Sequence, residues 1–170
     1  MKPILFVDLD ESLIKIDILR TQLARSFAMS SWGTIKIFLQ AKFRPERIKA
    51  VVTPQVDIDP ATLPYNEHVL ALIREAKGQG RTVVLATAAY HTIAQKVADY
   101  LGVFDAVLAT TDTYNCKGMK KLLVMQEFAA GQPFDYVGDS RADLKIFEYT
   151  QTAYIVGDLK YSGNHHRIRC

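Results

Sequence analysis

Residues 4–12 read Ile4-Leu5-Phe6-Val7-Asp8-Leu9-Asp10-Glu11-Ser12, an apolar run that ends abruptly in acids. A short continuous apolar run is what a strand buried on both faces shows, and such strands belong to parallel sheets. Working outward, runs of the same kind recur at residues 82–87, 106–110, 134–138 and 152–156. Between them the spacing turns helical. Val69, Leu72, Ile73 and Ala76 make one stripe before Gly78, and Ile93, Ala94, Val97, Ala98 and Leu101 make another before Gly102. Residues 117–129 predict a third helix, stopped at Gly131, a residue type that favours helix ends. Strands alternating with helices predict an α/β fold with a doubly wound parallel sheet covered on both faces.

The 170 residues are 49% hydrophobic and 23% charged, the usage of one globular domain, with or without a small insert. A disordered chain, a collagen-like repeat and a coiled-coil rod are excluded. No run reaches the roughly 18 to 20 apolar residues of a membrane span. Residues 1–8 run straight from apolar to acidic, so no signal peptide is expected. Two cysteines, Cys116 and Cys170, make no disulfide framework, and the expected location is the cytoplasm. A net charge of +3 is too small to predict a nucleic-acid partner. The charge is unevenly spread. Residues 20–49 hold seven Lys or Arg against Glu46 alone, which leaves the rest of the chain slightly acidic. That stretch reads as an insert.

Ligands of such sheets sit beyond the carboxyl ends of the strands, near the point where strand order reverses. The first strand ends in Asp8 and Asp10, the second in Thr87, and the fourth in Gly138-Asp139, with Asp143 four residues on. Lys117 follows the third. Four acids, a hydroxyl and an ammonium group on one edge suit phosphoryl transfer. Asp8 would attack phosphorus as a nucleophile, splitting one hard step into two. Asp10, two residues on, would protonate the leaving oxygen and then activate water. Asp8, the Asp10 carbonyl, Asp139 and Asp143 offer the hard oxygens that suit Mg2+. Thr87 and Lys117 would hold the phosphoryl oxygens. Cys116 adjoins Lys117, but nothing nearby supplies the base that a nucleophilic cysteine needs.

These motifs resemble those of the haloacid dehalogenase-like hydrolase superfamily. Its first signature corresponds to Asp8, Leu9, Asp10, Glu11 and Ser12, with Glu11 where Gly is common and Ser12 where Thr is common. Its second corresponds to Thr87, its third to Lys117, and its fourth to Asp139 and Asp143. The resemblance implies strand order 5-4-1-2-3. It also implies a substrate approached by Ser12, Ala88 and Arg141. Residues 56–66, 85–88, 115–118 and 134–144 are further similar to the hydrolase-like domain carried ahead of UbiA-type prenyltransferases. That implies a prenyl or sugar phosphate as substrate and a membrane prenyltransferase as partner.

Residues 1–15 and 56–160 are therefore expected to form the core, 16–55 a small helical cap, and 161–170 a loose tail. His165, His166 and Cys170 carry metal-ligating atoms but fall in that patternless tail. The basic insert has three readings: a cap over the crevice, a face laid on the inner surface of the membrane, or an ordinary helix pair with a solvated basic side. The expected activity is Mg2+-dependent phosphomonoester hydrolysis. A phosphomutase, or a silent partner module, stays open beside it.

Overall fold

The computed structural model describes residues 2–29, 45–53 and 58–169. Trp32, Lys36, Lys42 and the start of the 56–66 motif lie outside the described residues. Strand β1, Ile4–Val7, is buried along its whole length. Its alternation sorts the side chains onto two faces. Leu5 and Val7 join one core cluster, Ile4 and Phe6 the other. Two insert helices follow, α1 (Ile18–Met29) and α2 (Pro45–Val52), then α3 (Glu67–Gly78). The remaining elements are β2 (Val83–Tyr90), α4 (His91–Leu101), β3 (Ala106–Thr110), α5 (Met119–Ala129), β4 (Phe134–Gly138), α6 (Leu144–Phe147), β5 (Ala153–Val156) and β6 (His165–Ile168).

The sheet runs β3-β2-β1-β4-β5-β6, with every pairing parallel. Apolar faces of α3 and α4 cover one side through Val69, Ile73, Ile93 and Val97. Helices α5 and α6 cover the other through Leu122, Met125, Ile146 and Phe147. Phe6 meets Phe134 edge to face at 5.4 Å, an arrangement worth about 1 kcal/mol beyond the area buried. At the amino end of the sheet, Arg81 donates to the Pro3 carbonyl at 2.8 Å and to Asp135 at 2.5 Å. Asp135 in turn accepts from the Thr152 amide at 2.9 Å, so one buried pair ties β1, β4 and β5. The α/β doubly wound architecture and the order of the first five strands are as the sequence predicts.

Two expectations need correction. Within the stretch expected as a loose tail, residues 165–168 form β6, which pairs with β5 from Ala153 opposite His165 to Val156 opposite Ile168. An edge strand needs a partner on one side only, and backbone bonds supply it. Arg167 adds donation to the Gly157 carbonyl at 3.0 Å and the Leu159 carbonyl at 3.2 Å, and Asn66 holds the Arg169 carbonyl at 3.1 Å. Strand β2 also runs past Thr87. After an irregularity in register, Tyr90 pairs with Thr110 on β3. Thr87 Oγ1 accepts from the Ala89 amide at 2.9 Å inside that irregular stretch.

Candidate active site

Strand β1 stops where Asp8 begins the chain's first turn. The alternation that sends Phe6 toward α5 sends Asp8 the same way, so its carboxylate leaves the sheet on the α5 side. Asp8 Oδ1 accepts from its neighbour's amide, Leu9 N, at 2.9 Å. The turn is wide, with Leu13 N donating to Asp8 O and Ile14 N to Leu9 O. Glu11 sits in it at φ +54°, the left-handed region that side chains disfavour. Asp10 is extended, and its Oδ1 accepts from Ile18 N at 2.8 Å, capping the first residue of α1. Asp10 thus lies between the core and the insert.

The cation that reaches Asp8 is Lys121. Its Nζ lies 3.0 Å from Asp8 Oδ1 and 3.6 Å from Asp143 Oδ1, on a side chain 3% exposed. It also donates to the Tyr136 hydroxyl at 2.8 Å, and Tyr136 donates to Asp143 Oδ1 at 2.8 Å. Asp143 Oδ2 accepts from Ser140 through both its amide and its hydroxyl. Asp139 Oδ1 accepts from Ser12 Oγ at 3.1 Å, which ties the first motif to the fourth. Gly138 is required here: a Cβ at that position would stand 2.7 Å from the Tyr136 ring and 3.2 Å from the Asp143 carboxylate.

One carboxylate oxygen from each of Asp8, Asp139 and Asp143 falls within 4.8 Å of the others. Burial and mutual repulsion show in their acidities. Burial pushes Asp8 up to about 6 against the pull of Lys121. Asp139 is pushed up to about 7 by burial and then by Asp8 and Asp143. Asp10 rises to about 7, mainly through burial. Asp143 is held below the usual carboxylate range, because Lys121, Ser140 and Tyr136 outweigh its burial. A single ammonium group does not neutralise this set. Three hard carboxylate oxygens at this separation, two of them on groups whose pKa is raised, are a donor set that fits a divalent cation.

The other expected residues divide. Ala88 lines the crevice, a cavity of about 140 Å3 lined also by Asp8, Asp10, Asp139 and Asp143. Thr87 is fully buried and is not among its described lining residues. Ser12 is likewise buried and supports Asp139 instead of facing a ligand. Arg141 is exposed and does not line the cavity. Lys117, expected to hold phosphoryl oxygens, precedes α5 and lines the crevice from an exposed position, while Lys121 is the lysine in contact with Asp8. The signal for Lys121 was present: residues 121, 125 and 129 share the buried face of α5 at four-residue spacing.

Two residues escaped the sequence reading. Tyr136 shares its strand face with Phe134 and Gly138, and that parity points it at the fourth motif. Lys49 comes from α2 in the insert and is 8% exposed; it donates to the Ala88 carbonyl and to Asn115. No local pattern marks it.

A family model described as HAD, haloacid dehalogenase-like hydrolase, matches residues 22–148. This chain belongs to the haloacid dehalogenase-like hydrolase family. It is 38% identical over 156 residues to the uncharacterized protein y4nM of Sinorhizobium fredii, covering 91% of this chain and 30% of that relative. The chain therefore spans less than a third of that longer protein. Among solved structures, a substrate-bound phosphoserine phosphatase complex aligns at TM-score 0.63 and 16% identity, over 92% of this chain and 87% of that one. A phospho-aspartyl intermediate analogue of phosphoserine phosphatase aligns at 0.63 and 18%, over 91% and 86%. A HAD family hydrolase from Salmonella enterica aligns at 0.64 and 18%, over 89% and 62%. These likenesses are of fold. Among the described residues, no helix is long and apolar enough to cross a membrane.

Proposed function

We propose that the chain is a Mg2+-dependent phosphatase that hydrolyses phosphomonoesters through an aspartyl-phosphate on Asp8. One observation carries the reading: Lys121 Nζ lies 3.0 Å from Asp8 Oδ1, beside the carboxylates of Asp139 and Asp143. Among the described residues nothing hydrogen-bonds Asp8 Oδ2, which leaves that oxygen to attack phosphorus. The bond from phosphorus to the ester oxygen breaks as the bond to Asp8 forms. Asp10, whose pKa burial raises to about 7 so that part of it keeps its proton near neutral pH, gives that proton to the leaving oxygen. In the second step the Asp10 carboxylate takes a proton from water as that water attacks the aspartyl-phosphate. Inorganic phosphate leaves and Asp8 is restored.

Asp8, Asp139 and Asp143, with the Asp10 carbonyl, would hold Mg2+, which when bound screens charge on the phosphoryl oxygens. Lys121 supplies the fixed positive charge on the same side. Tyr136 keeps Lys121 and Asp143 in register, and Ser12 aims Asp139. Helices α1 and α2 serve as the cap expected over residues 16–55, since Ile18, Gln22 and Lys49 reach the crevice.

The substrate is a small or lipid-linked phosphate. The longer relative supports a domain that works beside further protein, with a membrane prenyltransferase as the partner that the 56–66 and 134–144 motifs suggest. The basic insert would place it at the inner membrane face. A single assay tests the whole reading. An aryl phosphate, a sugar phosphate and a prenyl phosphate are each offered with Mg2+ to wild type and to Asp8→Asn. Wild type should turn over at least one of them, and the variant should lose about a thousandfold or more while its unfolding midpoint stays in place. Equal rates, including none in either protein, overturn the phosphatase in favour of the silent partner module.

A further inference from the structure

Two ammonium groups on the crevice wall, those of Lys49 and Lys117, have no carboxylate within ion-pair distance among the described residues. Lys49 is 8% exposed, and its Nζ donates to two neutral acceptors, the Ala88 carbonyl at 2.5 Å and Asn115 Oδ1 at 3.1 Å. Among the described residues no carboxylate comes within 4.0 Å of it; Asp10 and Asp17 act on it from farther off. Burial lowers its basicity, and the charge of Lys117 lowers it further, so the two cations feel each other across the same cavity. Lys121 differs, because Asp8 and Asp143 already answer its charge.

A buried cation costs free energy unless an anion or a full set of hydrogen bonds offsets it. Lys49 is held in place by β2 and by the loop after β3, yet among the described residues its charge has no carboxylate in contact. Lys121 and a divalent cation held by Asp8, Asp139 and Asp143 would stand beside the phosphoryl group expected at Asp8, whereas Lys49 reaches the crevice from the insert, anchored at Ala88 and Asn115, with Lys117 acting on it there. Resting on the phosphatase reading, we infer that the substrate carries a second anionic group, a carboxylate or another phosphoryl, which Lys49 and Lys117 receive. Ala88 and Asn115 aim Lys49 at it. The insert thereby selects substrates by charge.

Phosphonates test this without turnover, because their carbon–phosphorus bond is not cleaved. Methylphosphonate, phosphonoacetate and methylenediphosphonate are titrated calorimetrically into the protein at saturating Mg2+. The two analogues with a second anionic group should bind about tenfold or more tighter than methylphosphonate, the value of one hydrogen bond between charged groups. Whichever of the two gains more identifies the carboxylate or the phosphoryl. Lys49→Gln and, as an exposed substitution that spares the fold, Lys117→Gln should each shrink that gap to about threefold or less. Equal binding of the three by wild type overturns the inference. So does a loss in both variants that falls on all three alike, since the lysines would then be holding the phosphonate itself. If the gap is present and shrinks in both variants while no phosphate ester is hydrolysed, the anion site stands and the phosphatase reading falls.

Discussion

Lys121 answers two carboxylates with one ammonium group, and the Tyr136 hydroxyl takes another of its protons. Lys121→Gln leaves Asp8 and Asp143 buried without their cation, and removing one partner of such a pair costs about 3–5 kcal/mol. Lys117→Gln, at an exposed position, should stay within about 0.5 kcal/mol. Urea unfolding of the two variants in chelator measures the contrast, and similar midpoints would mean that Lys121 does not pair as described. The acids of the site were legible because each closes a strand or follows one closely, where a carboxylate has little structural use. Lys121, the lysine that contacts Asp8, was not singled out beside Lys117, since 117 and 121 lie on one helical line and only the position of the helix start separates them. Gly118, at φ +56°, ends the loop, and α5 begins at Met119. Glu11 shows the same limit. Its left-handed backbone explains why glycine is common at that place in the family motif, and no reading of the side chain reveals a φ angle.

At the level of elements, the strands with buried apolar runs were read closely, and the polar one was not. β6 shows only Ile168 as an apolar residue, so it has no alternation to detect, and its evidence is the backbone pairing itself. Its contribution can be measured. Cutting the chain after residue 163 strips the outer edge of β5 and frees Tyr154, which stacks with His166 at 5.5 Å. The truncated protein should keep its helical circular dichroism, unfold at lower urea and aggregate more readily through the bared edge. A midpoint equal to that of the full chain would show that β6 is not part of the folded unit. The insert helices were legible as helical, with Leu19 and Leu23 of α1 packing near Ile48 and Val51 of α2. What their sequence did not reveal is that Lys49, just beside that apolar seam, turns inward.

Taken whole, the molecule concentrates repulsion in one place. Asp8, Asp10 and Asp139 sit at about 6 to 7, against about 4 in an unfolded chain. The folded state therefore binds these protons more tightly than the unfolded one. Their contribution to stability is present below pH 4 and is lost as pH rises through 6 to 7. In chelator the melting temperature should fall between pH 5 and pH 8, and millimolar Mg2+ should remove most of that fall by binding the folded state alone. A melting temperature indifferent to Mg2+ at pH 8 would count against a cation held by these acids.

The strand that bears Asp8 has two neighbours toward one rim of the sheet and three toward the other. Wear at either border, whether fraying, a nick or a grafted loop, must cross at least one intact neighbour before it disturbs the reacting carboxylate. Such a scaffold can be decorated at its margins while its chemistry stays undisturbed.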